Sequence, residues 1–376
     1  MLEINSRLSI LYIYPEPLKH QAGGERVNLR NRELLELTCD NVTVYEIPKT
    51  VRLQTFLRLA AGFCGGISHG IVNDIFSILD KGRHDAVFLW SSKAGKLAKM
   101  ISRRYPRIKI ITFFHNIEIQ YAEEELKLSP SLKNRFISRI VCRNELDAVN
   151  YSSSLIVMND RDNRLLDKYY NTKANLILPL GMTDSYCKEV DCSRFSSVGS
   201  KLKLLFVGSA FFANIDGVEW FINHVFPHLT DVELLIAGKG MDCQFTPIND
   251  SDRNASVSVM GYVDRLDEVY EWAHIVVSPI FHGGGMKTKT AEAMMYGCPI
   301  IGTEEAFEGY DIEYDKIGAR CNTPKGFIDA IGQLRNSKEH LLNSAKYSRI
   351  TFLEKYDTNV LKNKMTDFLR NVKYPT

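Results

Sequence analysis

Short apolar runs recur along the chain, separated by segments long enough for helices. In the first half they are Leu8 to Tyr14, Val42 to Ile47, Asp85 to Trp90, Ile108 to Phe114, Leu155 to Met158 and Asn175 to Leu180. Apolar runs of about four to eight residues bounded by turn signals read as strands buried on both faces, and the helical patterns between them read as crossovers. Strands alternating with helices predict a parallel sheet covered on both sides. Met182 to Lys201 has no clear period, is rich in Ser and contains Gly199, and reads as a linker. The alternation restarts with Lys203 to Val207, Val232 to Ala237, Ser256 to Met260, His274 to Pro279 and Pro299 to Thr303. From about Pro324, apolar residues fall at helical spacing: Phe327, Ile331 and Leu334, then Val360, Leu361, Met365, Phe368 and Leu369. The expected fold class is α/β, with two Rossmann-like doubly wound parallel-sheet domains facing a cleft. The expected boundaries are 1–185 for the first domain, 186–200 for a linker, 201–350 for the second domain and 351–376 for C-terminal helices that pack on the second domain or return to the first. In such sheets ligands bind outside the carboxyl ends of the strands, so the loops there are where chemistry is expected.

Composition narrows the function. A chain of 376 residues is too long for one small binding module, and 45% hydrophobic with 24% charged residues is ordinary for a globular protein. Forty-seven Lys and Arg against 45 Asp and Glu leave a net charge of +2, which argues against a nucleic-acid partner. The 8 Cys are scattered, with no Cys-x-x-Cys pair, so neither a zinc site nor a disulfide framework is expected and a reducing compartment fits. The longest apolar candidate, Leu57 to Ile71, is interrupted by Arg58, several glycines and His69, and falls short of the ~20 residues that cross a bilayer. Leu8 to Tyr14 runs straight into Pro15-Glu16-Pro17 and reads as a first strand rather than a signal peptide. A cytoplasmic protein is expected.

The strongest local signal is Ile280 to Gly297, IFHGGGMKTKTAEAMMYG. It follows an apolar strand, turns through Gly283-Gly284-Gly285 and opens a helix of good formers. Glycines let the backbone approach a ligand closely, and a helix start presents unpaired N–H groups, which together make an anion site. Lys287 and Lys289 stand at this terminus, where the macrodipole disfavours cations unless an anion is present. Glu292 lies a little over one helical turn beyond Lys287 and can accept hydrogen bonds from sugar hydroxyls.

The run Ser278 to Tyr310 (SPIFHGGGMKTKTAEAMMYGCPIIGTEEAFEGY) resembles the nucleotide-sugar half of retaining glycosyltransferases of the GT-B fold, in glycosyltransferase family 4. Phe206-Val207-Gly208-Ser209, Asn214 to Pro227, Ile236-Ala237-Gly238-Lys239-Gly240 and Gly261-Tyr262-Val263 are similar to that half in order and spacing. In the first half Gly23-Gly24, His115-Asn116 and Leu178-Pro179-Leu180-Gly181 are also similar.

The resemblance implies a nucleotide-diphosphate sugar donor, with Gly23, Gly24, Gly208, Ser209, Gly261, Tyr262, Gly284, Gly285, Met286, Lys287, Thr288, Lys289 and Glu292 around it. Glu292 matches the second Glu of the family's paired-glutamate motif, which binds the ribose hydroxyls. The first Glu of that pair is replaced by Gly284, so contacts to the donor hexose fall to backbone amides or to Glu308. The usual Arg and Lys after the Gly208 strand are also missing, since Ser209, Ala210, Phe211 and Phe212 stand there. Lys287, and after it Lys289, then neutralise the diphosphate. His115 matches a His that lies beside the donor sugar. The implied catalytic set is therefore His115, Lys287 and Glu308, with no metal and no cofactor, and retention of anomeric configuration without a side-chain base. A saccharide or lipid-linked saccharide acceptor, in polysaccharide or glycolipid assembly, is the implied partner.

Several motifs carry a plainer reading. Asp160-Arg161-Asp162 has the Asp-x-Asp form of a metal site, but it follows a strand and starts a helix, so an N-cap with an acidic first turn accounts for it. His224 and His228 lack a third zinc ligand, and Gly238-Lys239-Gly240 lacks the rest of a dinucleotide fingerprint. Arg135, Arg139 and Arg143 share one helical face, and Val51 to Phe63 is basic and apolar; each is either a solvated face or a peripheral membrane contact. Two other functions stay open at this level: a nucleotide-sugar epimerase of the same fold, and a noncatalytic nucleotide-sugar-binding subunit.

Overall fold

The computed structural model describes residues 6–17, 23–49, 52–128, 130–198, 200–283 and 285–373. The chain divides into two compact units, Met1–Pro179 with Leu361–Thr376, and Leu180–Val360.

In the first unit the strands are β1 (Ser6–Pro15), β2 (Cys39–Ile47), β3 (Ala86–Leu89), β4 (Lys109–Phe114), β5 (Ser154–Val157) and β6 (Leu176–Ile177). They form one sheet in the order β2-β1-β3-β4-β5-β6, parallel throughout. Ile10, Leu11, Tyr12 and Ile13 on β1 and all four residues of β3 are fully buried, as strands sandwiched between helix layers must be. Strand order reverses between β1 and β3, so the loops after these two strands diverge there and leave a crevice at the carboxyl edge.

The second unit holds β7 (Leu202–Val207), β8 (Val232–Ala237), β9 (Ile248–Asp250), β10 (Ala255–Met260), β11 (Ile275–Ser278), β12 (Ile300–Gly302) and β13 (Gly318–Arg320). Their order is β13-β12-β11-β7-β8-β10-β9, and only β9 runs antiparallel to its neighbour among the described pairs. The reversal lies between β7 and β11. Strands β9 and β13 are additions to the sequence reading, each three residues long and at an edge of the sheet.

The stretch expected to be a linker packs into the second unit. Phe195 and Val198 are buried in its core with Phe206, Phe221 and Phe327, because a 3-10 turn at Cys192–Ser197 turns them inward. The C-terminal segment forms the helices Pro324–Asn336, Lys338–Lys355 and Thr358–Lys373, and from Leu361 onward it counts with the first unit. No described helix is long and apolar enough to cross a membrane.

Candidate active site

In the second unit two helices start beside each other at the carboxyl edge. β7 leads through Gly208 and Ser209 into the helix Phe212–His224, and its neighbour β11 leads through the glycine loop into the helix Thr288–Met295. The N-cap residues are Phe211 and Lys287, and neither helix start is capped by a side-chain hydrogen bond. Asn214 N and Thr290 N turn back to the N-cap carbonyls of Phe211 and Lys287 at 2.9 and 3.1 Å, which leaves the N–H groups of Phe212, Ala213, Thr288 and Lys289 for an anion.

The far end of the second helix is held by cations. Arg349 Nη1 donates to Met295 O at 2.9 Å, Arg194 Nη1 donates to Tyr296 O at 3.3 Å, and Arg194 Nη2 donates to Gly297 O. Arg349 is itself fixed by Asp184 in a bidentate pair at 2.9 and 2.6 Å. Guanidinium groups at the C-terminal pole and open N–H groups at the other complement the macrodipole in the direction an anion needs.

The two lysines are held differently. Lys287 Nζ donates to Gly285 O at 2.8 Å and to Glu305 Oε1 at 2.6 Å, while Tyr310 OH donates to Lys287 O at 2.6 Å. Lys289 Nζ donates to Asn214 Oδ1 at 2.6 Å and lies 4.4 Å from the centre of the Phe206 ring. Among the described residues Lys289 has no ion pair. Burial pushes it down to about 7, with Glu292 raising it and Lys287 lowering it further. Gly208 makes room for this arrangement, since a Cβ there would lie 2.8 Å from Asn214 Nδ2 and 3.0 Å from Lys289 Nζ. Lys289 thus reaches the β7 loop from the next helix start.

Glu292 is 7% exposed, and its Oε2 accepts from Tyr270 OH at 3.3 Å. Tyr270 stacks on Tyr296 with ring centres 4.7 Å apart, which fixes the phenol. Gly283 and Gly285 take the left-handed backbone that glycine tolerates, at φ 134° and 67°. Gly284 lies outside the described residues. Thr288 begins the helix and is partly exposed. The Met286 thioether is turned inward, where it accepts from Leu180 N at 3.3 Å, so the side chain is buried away from the loop surface.

Elsewhere on this edge, Ser209 O accepts from Asn214 Nδ2 at 2.7 Å, Gly261 O accepts from Gly238 N at 3.0 Å, and Tyr262 is 73% exposed. Glu308 closes the 3-10 turn Glu305–Phe307 and is partly buried. Glu305, which sequence reasoning passed over, pairs with Lys287. The acid-rich run Thr303-Glu304-Glu305 after β12 was its only signal.

In the first unit His115 follows β4, with Nε2 3.0 Å from Asn28 Oδ1 and its ring edge-on to Phe113 at 5.1 Å. Burial, then the charges of Arg30 and Lys93, push its pKa down to about 3, against a hydrogen bond with the Trp90 backbone. The imidazole is neutral at physiological pH. Gly23 and Gly24 open the helix Gly23–Thr38, and a Cβ on Gly24 would meet nothing within 4 Å, so packing does not require glycine there.

The Asp-x-Asp motif resolves as a helix start with a small correction. Asn159 is the N-cap, accepting from Asp162 N at 2.9 Å, and Asp160 is exposed in the first turn. No group of three or more His, Cys, Asp or Glu among the described residues is arranged to hold a metal ion.

Residues 201–337 match the family model of glycosyl transferases group 1. Among solved structures the chain is similar to sucrose-phosphate synthase from Thermosynechococcus elongatus, at 14% identity and a TM-score of 0.70, over 98% of this chain and 100% of that one. It is similar to HepE of Anabaena in complex with UDP and glucose, at 12% identity and a TM-score of 0.64, over 96% and 99% of the two chains. A third is the lipopolysaccharide outer core galactosyltransferase WaaB in its apo form, at 13% identity and a TM-score of 0.59, over 98% and 99%. No curated protein sequence matches the chain. At these identities the likeness is one of fold, and with the family match it bears out the resemblance to GT-B glycosyltransferases of group 1.

Proposed function

We propose that this glycosyltransferase fold moves a sugar from a nucleotide-diphosphate sugar to an acceptor hydroxyl, with retention of anomeric configuration. The observation that carries the reading is the meeting of two uncapped helix starts and Lys289 at the adjoining ends of β7 and β11. A departing nucleoside diphosphate gains negative charge as its bond to the anomeric carbon breaks. Fixed N–H dipoles and an ammonium group stabilise that charge more than they stabilise the bound donor, which lowers the barrier. The bond from the anomeric carbon to the phosphate oxygen breaks, the acceptor oxygen bonds on the same face, and the acceptor proton passes to the departing phosphate oxygen. That sequence needs no side-chain base. A neutral His115 suits it, as a hydrogen-bonding group rather than a proton carrier.

In this reading Lys289 meets the diphosphate, Lys287 is positioned by Glu305, Glu292 accepts the ribose hydroxyls, and Glu308 serves the donor hexose. The lysines and helix starts do the work a metal does in other transferases. A lipid-linked or polysaccharide acceptor is supported by exposed apolar residues interleaved with basic ones: Phe56 and Leu57 beside Arg58, and Leu132 and Phe136 beside Lys133, Arg135 and Arg139. Such faces suit peripheral contact with an anionic bilayer.

Thermal melting with UDP, GDP, ADP and their sugars tests the donor. A ligand at about 100 times its Kd adds ~2.7 kcal/mol of stability, a rise of several degrees. Because solved HepE complexes contain UDP and UDP-glucose, UDP is the first choice. If no nucleoside diphosphate or its sugar moves the melting temperature, the reading fails. Donor binding without transfer or hydrolysis indicates a noncatalytic subunit, and an epimer formed from donor alone indicates an epimerase.

A further inference from the structure

The Glu292 carboxylate is backed by a phenol. Tyr270, on the helix Leu266–Trp272, is fully buried, and its OH donates to Glu292 Oε2 at 3.3 Å. Burial first, then the neighbouring Glu292 carboxylate and Cys298 thiol, hold this phenol well above the ordinary tyrosine range, so it keeps its proton and serves as a donor to the acid. Ring and backbone are both fixed. The ring lies nearly parallel to that of Tyr296, at 11° between planes, and Tyr270 O accepts from Ala273 N at 3.3 Å, Arg194 Nη1 at 3.4 Å and Cys298 Sγ at 3.5 Å. The last torsion of a glutamate side chain is broad and two-fold, so the plane of an unsupported carboxylate swings widely. A fixed phenol that donates to one oxygen sets that plane, through a hydrogen bond strengthened by the charge of its acceptor.

Glu292 and Lys289 stand three positions apart on the helix Thr288–Met295 and so share one face of it. The carboxylate is close enough to favour the charged form of the lysine. A ligand lying along this face meets a cation with its anionic part and an acceptor with its hydroxyl groups. Two adjacent hydroxyls can both donate to one carboxylate only if its plane faces them, and a ligand without them leaves a nearly buried acceptor with nothing in place of the water it gave up.

We infer that Tyr270 is a positioning residue: it sets the plane of the Glu292 carboxylate for a vicinal diol and thereby makes the second unit select ribonucleoside diphosphates over forms that lack the ribose hydroxyls. The inference rests on the proposed nucleotide donor and deepens it. The test is calorimetric titration of the intact protein with whichever of UDP, GDP and ADP it binds, with the 2′,3′-dideoxy form of the same nucleotide, and with inorganic pyrophosphate, which meets only the lysine end. The unaltered protein should prefer the ribonucleotide by roughly 100-fold or more. Tyr270→Phe keeps the ring, its volume and the stack, and should cut that preference by about tenfold while leaving pyrophosphate affinity within about twofold. Tyr296→Phe removes the hydroxyl of the partner ring, which lies 3.4 Å from Ser185 Oγ, and should leave the preference as it was. Equal affinity of the unaltered protein for the two nucleotides, or the same preference in Tyr270→Phe, overturns the inference and leaves the nucleotide donor standing. Loss of pyrophosphate binding or of the fold in Tyr270→Phe also overturns it, because the phenol then supports the whole helix rather than one carboxylate. If the unaltered protein binds none of the three nucleoside diphosphates, the nucleotide donor and the inference fall together.

Discussion

Replacing Lys289 by Met should abolish proton uptake on nucleoside diphosphate binding. In the free protein burial holds Lys289 at about 7, although Glu292 favours its charge. At pH 8 a group with that pKa is only ~10% protonated, whereas a diphosphate at Nζ returns it toward the ordinary lysine value of about 10.4. Each binding event at pH 8 should therefore draw ~0.9 proton from solvent. The sign follows from proton counts: between pH 7 and about 10 the complex holds more protons than the free protein, so affinity falls as pH rises, approaching tenfold per pH unit. Below pH 7 the lysine is already mostly charged, and its contribution levels off. Calorimetric titration of UDP at pH 8, in buffers of different ionisation enthalpy, measures the uptake directly. The nucleotide's own terminal phosphate, with a second pKa of about 6, is ionised there and stays silent. Tight binding without uptake by the unaltered protein, or the same uptake in Lys289→Met, would refute the assignment of this lysine to the diphosphate.

Five further substitutions bear on the same edge of the sheet or serve as its control. Lys287→Ala and Glu305→Gln should each lower kcat, the former by on the order of 10²-fold, and the double variant should be little worse than Lys287→Ala because the two act as a pair; fully additive losses would argue against positioning. Glu292→Gln keeps the volume of the side chain and removes a carboxylate acceptor, so UDP affinity should drop at least tenfold by calorimetry, about 1.4 kcal/mol. In Gly208→Ala the new Cβ would sit 2.8 Å from Asn214 and 3.0 Å from Lys289 Nζ, so UDP affinity should fall by about tenfold with a small change in melting temperature. Asp160→Asn should leave transfer unchanged and cost ~0.3–1 kcal/mol of stability through the helix dipole, readable by denaturant titration.

How much of this was legible in the sequence depended on how local the cause was. The apolar runs at Ile10 to Tyr14 and Leu204 to Val207 marked strands because burial on both faces leaves no polar alternation to confuse the reading. Ile248–Asp250 and Gly318–Arg320 escaped because three residues at a sheet edge carry too little pattern. The glycine loop and helix start were visible as a motif, but the division of labour between the lysines was not. It depends on Glu305 and Asn214, which are 18 and 75 positions away from their partners. Ser-rich composition misled at 186–200, where Phe195 was the apolar anchor that periodicity could not weigh alone.

The guanidinium clamp at the rear of the site helix bears on how the second unit can be isolated. A fragment trimmed to the family match at 201–337 would discard Asp184, Arg194 and Arg349 together. Three carbonyl groups would then lose charged donors, at roughly 1.5–3 kcal/mol for each such bond. The last turn would fray, and its loosening would be felt at the opposite tip where the nucleotide is expected to dock. Excision at 180–360 keeps the clamp whole and is the shortest sensible cut for crystallographic or binding work on that half alone.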